Sequence, residues 1–140
     1  MPWRVERARD VRPALAIDAA HRQVPREDAL TAAAARGDLW LAGDGTTARG
    51  LLCRDDACFF ARPFVGLVVV DPGFRRQGLA SALFTAVETA TTAPLWTSTN
   101  RSNAPMIALL RGRGYDVKGE IEGLDEGDPE LFFRRDKPHP

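Results

Sequence analysis

The stretch from Phe64 to Ala90 constrains this chain more than any other. It opens with Phe64, Val65, Leu67, Val68, Val69 and Val70, an apolar run that reads as a strand buried on both faces. Asp71-Pro72-Gly73 follows, with the residue types that end a strand in a turn. Beyond Arg75-Arg76-Gln77-Gly78, apolar positions at Leu79, Leu83, Val87 and Ala90 recur at helical spacing. A helix start leaves its first N–H groups without internal partners and carries the positive end of the dipole. Gly78 has no side chain to block an approaching anion, and Arg75 and Arg76 add full charges. Together these are the parts of a phosphate cradle. The competing reading is an ordinary α/β unit with solvated arginines.

Two familiar glycine-loop patterns do not fit. A phosphate-binding Walker loop needs Gly-x4-Gly-Lys-Ser/Thr, and this stretch has no lysine. A dinucleotide fingerprint needs Gly-x-Gly-x-x-Gly, whereas Gly78 stands alone in the loop proper.

The 140 residues suit one domain, 1–140, and the 44% of hydrophobic residues suffice for a core. Nineteen basic residues balance nineteen acidic ones, which argues against a nucleic-acid partner held by bulk charge. Met1-Pro2-Trp3-Arg4 lacks the apolar core of a secretory signal, and no run approaches the ~18 apolar residues of a membrane span. The expectation is a cytoplasmic protein in which Cys53 and Cys58 are reduced, half-buried thiols, with a hairpin disulfide as the alternative. These cysteines with His21 and His139 match no zinc spacing, so no metal is expected.

In order, the chain opens with a strand near Trp3–Ala8 and a helix from an Asp10 cap to about Arg22, with Pro13 in its first turn. Pro25 restarts the chain. A second helix, Glu27–Arg36, has Leu30 and Ala34 on one face and Gly37 as its C-terminal cap. Residues 38–42 and 49–53 form a hairpin, and a turn at Arg54–Ala57 leads through Cys58-Phe59-Phe60 to the central strand. Leu95–Thr99 follows the central helix, so a right-handed crossover places it parallel to Phe64–Val70. A helix over Ala104–Arg111 and strands at Tyr115–Ile121 and Leu131–Phe133 complete the order.

Val70-Asp71-Pro72-Gly73-Phe74-Arg75-Arg76-Gln77-Gly78-Leu79-Ala80 resembles the acetyl-CoA signature of the GNAT superfamily of N-acetyltransferases. That signature is Arg/Gln-x-x-Gly-x-Gly/Ala after a strand ending in Val-Asp-Pro. Asn103-Ala104-Pro105-Met106-Ile107-Ala108-Leu109-Leu110-Arg111-Gly112-Arg113-Gly114-Tyr115 is similar to a second family segment, Asn-x-x-Ala-x-x-Leu-Tyr-x-x-x-Gly-Phe. The order of elements is also that of the family. The resemblance implies an α/β (α+β) fold, with a mixed central sheet of about six to seven strands flanked by about four helices.

It further implies acetyl-CoA as acyl donor, held between the central strand and the next. The pantetheine arm would pair with the backbones of Val68, Val69 and Val70. The pyrophosphate would rest on the amides of Arg76, Gln77, Gly78, Leu79, Ala80 and Ser81, beside Arg75. Asn103 and Met106, which share a helix face with Leu110, would line the same cleft. For Asn103 a helix cap is the structural alternative.

Two features depart from the family pattern. Leu110 stands where a tyrosine often serves as general acid, and the single tyrosine, Tyr115, falls at a packing position. The central strand carries no carboxylate. Candidate bases are therefore Glu120, Glu122, Asp125, Glu126 and Asp128, or a water relay. The acidic Asp116–Glu130 stretch reads first as a solvated loop, and second as an edge that steers a cationic amine. Ser98 or Thr99 could donate to substrate. Catalytic residues are left unassigned.

The expected function is direct acetyl transfer from the thioester to a small-molecule or peptide amine, with a homodimer as the assembly the family suggests. The alternatives are an acyl-CoA-binding sensor or interaction module and, more remotely, a nucleotide-binding regulator.

Overall fold

The computed structural model describes residues 3–20 and 26–136. By its internal contacts the chain divides into two compact units, residues 1–55 with 66–90 and residues 56–65 with 91–140. The seven strands run β1-β2-β3-β4-β5-β7-β6 in one mixed sheet, and four α-helices accompany them. This is the sheet and helix complement expected from the sequence.

The first unit holds β1 (Arg4–Arg7), α1 (Arg12–Ala19), α2 (Glu27–Arg36), β2 (Leu39–Gly43), β3 (Ala48–Asp55), most of β4 (Phe64–Val70) and α3 (Leu79–Thr89). Pro13 sits in the first turn of α1, but the N-cap is Val11 rather than Asp10. The Asp10 carboxylate instead closes a turn one residue earlier, accepting the Arg12 N–H at 3.0 Å and pairing with the Arg12 guanidinium. That pairing draws Asp10 down to a pKa of about 2. The expected end of the helix near Arg22, together with His21 and Pro25, lies outside the described residues.

α2 stops at Gly37, whose φ of 79° is the left-handed cap a glycine permits. Ala14 and Ile17 from α1, and Leu30, Ala33 and Ala34 from α2, join Leu39, Leu41, Leu51 and Val69 in one apolar cluster. α1 also buries Asp18, and the Arg26 guanidinium pairs with it at 2.8 Å, tying the end of α1 to the start of α2. α3 buries Leu79, Leu83, Phe84 and Val87. Gly50 permits close seating of that helix: a Cβ there would meet Leu83 Cδ1 at 3.3 Å and the Val69 carbonyl oxygen at 3.4 Å.

β4 keeps its expected limits but is not buried throughout. Phe64, Val65 and Val69 are buried, Gly66 is exposed, and Leu67, Val68 and Val70 are half-buried. The parallel ladder with β5 consists of Phe64↔Trp96 and Val65↔Thr97, so the later residues of β4 are not covered by that pairing.

The second unit contains the start of β4, β5 (Leu95–Asn100), α4 (Ala104–Gly112), β6 (Asp116–Ile121) and β7 (Glu130–Arg135). β5 is parallel to β4, as the crossover rule requires, and antiparallel to β7. Leu95, Thr97 and Thr99 of β5 and Leu131 and Phe133 of β7 are buried, along with Leu110 and Tyr115. β7 lies between β5 and β6, which leaves β6 as the sheet edge. The sequence predicts a strand over Tyr115–Ile121, and β6 occupies it from Asp116. At the edge every residue of β6 is exposed, Val117 and Ile121 included, while Tyr115 just before it is buried.

Candidate functional site

In the first unit the segment after β4 is built as a braced turn. Asp71 N–H donates to the Arg49 carbonyl at 2.7 Å, and the Asp71 carboxylate accepts the Gly73 N–H at 3.1 Å. A short 3-10 turn, Pro72–Phe74, follows. The Arg49 guanidinium lies 4.3 Å from the Phe74 ring centroid and 3.4 Å from the Asp71 carboxylate, so one cation holds both ends of that turn. Trp3 packs edge-on against Phe74, with centroids 6.3 Å apart, and its Nε1 donates to the Gln77 carbonyl at 2.7 Å.

This bracing places the loop amides at the start of α3. Gly78 is the N-cap, with φ 88° and ψ 8°, and Ala82 N–H makes the first helical bond back to Gly78 at 3.0 Å. The N–H groups of Leu79, Ala80 and Ser81 precede that bond and sit at the positive end of the helix dipole. Arg76 also holds a left-handed backbone, φ 63°, which costs of order 1–3 kcal/mol in a non-glycine residue unless its surroundings enforce it. Arg75 and Arg76 are exposed and have no carboxylate partner among the described residues. The expected residues Arg75 to Ser81 therefore form one continuous loop and helix start. Val68, Val69 and Val70 lie on β4, immediately before it.

Sequence reasoning missed Trp3, Arg49 and Phe74. Their only signals were a tryptophan in a charged first strand and an arginine opening the hairpin return, and neither spacing points to a loop many residues away. A recess of about 350 Å³ behind Asp71 is lined by Arg49, Thr47 and the α1 residues Pro13, Ala16 and Ile17.

In the second unit Asn103 caps α4. Its Oδ1 accepts the Met106 N–H at 3.3 Å, and its Nδ2 donates to Thr99 Oγ1 at 3.1 Å. An amide carries two N–H donors and two acceptor lone pairs, so further bonding capacity is left. Met106 is half-buried, and Leu110 is wholly buried and has no hydroxyl to offer as an acid.

The acidic stretch divides by partner. Glu120 is ion-paired with Arg101. Asp125 accepts from Asn100 Nδ2 at 2.9 Å, and Asp128 accepts from Ser102 N and Oγ at 3.0 and 2.5 Å. Glu120 on β6 and Asp125 and Asp128 in the β6–β7 loop thus hold Asn100 to Ser102, just before α4. Glu122 and Glu126 are exposed. The Ser98 hydroxyl is engaged within the sheet. It donates to Glu130 Oε2 at 2.7 Å, a β7 carboxylate absent from the sequence-based candidates.

Neither cysteine is in a disulfide. Cys53 is half-buried as expected, and burial pushes its thiol up to about 12, whereas Cys58 is exposed. No group of metal-ligating side chains occurs among the described residues, nor does any helix long and apolar enough to cross a membrane.

A mixed seven-stranded sheet with four helices and a glycine-capped loop after the central strand defines an acetyltransferase-type α/β fold. The family model for the acetyltransferase (GNAT) family matches residues 15–115, and the chain belongs to that family. A GNAT-family acetyltransferase from Bacillus cereus ATCC 10987 is 29% identical over 99% of this chain and 100% of its own, with a TM-score of 0.91. The ribosomal-protein-S18-alanine N-acetyltransferase of Escherichia coli shares the fold at 18% identity and TM-score 0.79, over 99% and 96% of the two chains. So does yncA of Salmonella typhimurium, solved with its cofactor acetyl-CoA, at 18% identity and TM-score 0.73 over 99% and 95%. No curated protein matches the chain in sequence.

Proposed function

We propose that the protein is a cytoplasmic, acetyl-CoA-dependent N-acetyltransferase acting by direct transfer to an amine, with residues 1–140 working as one catalytic domain. The braced loop from Asp71 to Ser81 carries this reading. Its left-handed glycine cap, its helix-start amides and two arginines without a carboxylate partner among the described residues suit a pyrophosphate. Bracing by Trp3 and Arg49 means little ordering remains to be done when the anion arrives.

In this reading the main chain of Val68, Val69 and Val70 pairs with the pantetheine amides. A β4 N–H near Val69 polarises the thioester carbonyl. Asn103 and Met106 contact the donor through the start of α4. The amine attacks directly and no enzyme nucleophile is needed. Cys53, held as the neutral thiol by burial, is unsuited to that role.

Binding without efficient transfer is the second reading, and the buried Leu110, with no acid to meet a departing thiolate, favours it. A thiolate with a pKa of about 8–9 leaves tolerably without help, so transfer is preferred. Thermal shift with acetyl-CoA, CoA, ATP and NAD, followed by thiol release across an amine panel, tests both. Stabilisation by acetyl-CoA and CoA with amine-dependent thiol release is expected. Stabilisation by ATP but not CoA overturns the reading, and CoA binding without turnover of any amine supports the second.

A further inference from the structure

We infer that the second unit carries the acceptor site, in which Glu130 receives the ammonium of an aryl-bearing primary amine beside an aromatic wall. This rests on the transferase reading above. Strand register creates the site. Trp96, Ser98 and Asn100 alternate onto one face of β5, opposite Arg134, Phe132 and Glu130 of β7. The opposite face of β5 carries Thr99, to which the α4 cap Asn103 is bonded.

The Trp96 face is met by the loop before β4. Phe59 stacks on Phe132 with centroids 5.4 Å apart and a 15° interplanar angle, and its ring lies 5.2 Å from Trp96 and 5.0 Å from Phe64. Phe60 packs edge-on against Phe59 yet is 83% exposed. It and Ala61 hold consecutive left-handed backbones, φ 50° and 56°, without a glycine between them. A large apolar side chain held outward by a strained turn gains nothing from folding, and such strain concentrates at ligand sites.

Asp125 and Asp128 also accept from neutral donors, but they lie in the β6–β7 loop, whereas Glu130 is part of β7. It is half-buried on a strand, and its one hydrogen bond among the described residues is from the Ser98 hydroxyl, a neutral donor. No cation among the described residues pairs with it. Arg134 stands over Trp96 at 5.7 Å but is bonded to Asp136 at 2.8 Å. A half-buried carboxylate without a cation partner, on the strand face that carries half-buried Phe132 opposite Trp96, fits a cation with an attached ring.

The proton path closes on these groups. The bound ammonium gives one proton to Glu130, and the freed lone pair forms the N–C bond to the acetyl carbon. The C–S bond breaks with its electron pair on sulfur, and the second proton from nitrogen ends on that thiolate. Glu130 then returns its proton to water. Ser98 is a positioning residue that fixes the carboxylate.

The test compares 2-phenylethylamine with methylamine by acetyl-CoA-dependent thiol release, with acetyl-CoA binding followed separately by thermal shift. The intact protein should turn over 2-phenylethylamine with at least a ~10-fold lower KM than methylamine, since a buried ring is worth well over one decade in affinity. Phe60→Ala should raise the 2-phenylethylamine KM several-fold and change the methylamine KM by a smaller factor. Glu130→Gln should lower kcat/KM by ~10²-fold or more for both amines while the acetyl-CoA shift stays unchanged. Wild-type turnover in Glu130→Gln overturns the inference, as does a Phe60→Ala effect equal for both amines. Intact acetyl-CoA binding without preference for the aryl amine also overturns it, and leaves the transferase reading standing. Loss of the acetyl-CoA shift in the unsubstituted protein removes that reading as well.

Discussion

The indole Nε1 of Trp3 donates to the backbone carbonyl of Gln77 at 2.7 Å, joining residues 74 positions apart. The bond fixes the peptide immediately before the Gly78 cap, and so sets where the amides at the start of α3 point. Trp3→Phe keeps the aromatic contact with Phe74 and deletes the donor. One such bond is worth about 0.5–1.5 kcal/mol, so the Kd for acetyl-CoA should rise about 3- to 10-fold by calorimetry. Acetyl-pantetheine, which lacks the pyrophosphate, should be used equally well by both proteins. An equal loss with both donors would show that Trp3 serves stability alone.

Gly78 sits at φ 88°, and a methyl group added to its Cα would meet nothing within 4 Å, so Gly78→Ala encounters backbone strain rather than a clash. The left-handed penalty is about 1–2 kcal/mol. For a chain of this size that corresponds to a Tm lower by roughly 3–8 °C. Acetyl-CoA affinity should fall as well, because relaxing the strain moves the cap amides. An unchanged Tm would mean that the loop has another conformation of equal energy.

Asp128 bonds Ser102 twice, which makes it a brace between the β6–β7 loop and the start of α4. Asp128→Ala should destabilise the fold by about 1–2 kcal/mol in urea denaturation, and Glu126→Gln should not, because Glu126 is exposed. Neither should change KM for a cationic amine. A raised KM in both, at unchanged stability, would restore electrostatic steering by this loop.

Asp18 is buried on α1 and answered by Arg26. Removing one partner of such a pair leaves an uncompensated charge, so Arg26→Met should cost about 3–5 kcal/mol. The double variant with Asp18→Leu should recover most of that loss, since an apolar pair needs no compensation. Additive losses in the double-mutant cycle would mean that the two residues act independently.

Much of the first unit's loop from Asp71 to Ser81 was legible in the sequence because its requirements are local. An apolar run, Asp-Pro-Gly and a glycine before periodic leucines each constrain only their neighbours, and β4, Gly78 and α3 fall where those signals put them. Gly37 and the Asn103 cap follow the same logic. Burial was less legible where it depended on strand order. The apolar alternation of Tyr115–Ile121 is the same whether that strand is central or at an edge, and β7, inserted between β5 and β6, made it an edge.

The order of elements followed from short-range propensity and spacing, and the family, with the loop proposed to meet the donor, from the likeness of residues 70–80 and 103–115 to the family's signatures. Tertiary structure alone decided which side chains hold that loop and which partner each carboxylate meets. Trp3 reaches Gln77, and Ser98 reaches Glu130, only because strand pairing and register bring distant residues side by side. Of the acidic residues between Asp116 and Glu130, Glu120 is ion-paired, Asp125 and Asp128 are bonded to neutral donors in the turn before α4, and Glu130 is bonded across the sheet to Ser98. Charge composition cannot make that distinction, because ion pairs and hydrogen bonds form between neighbours in space and not between neighbours in the chain.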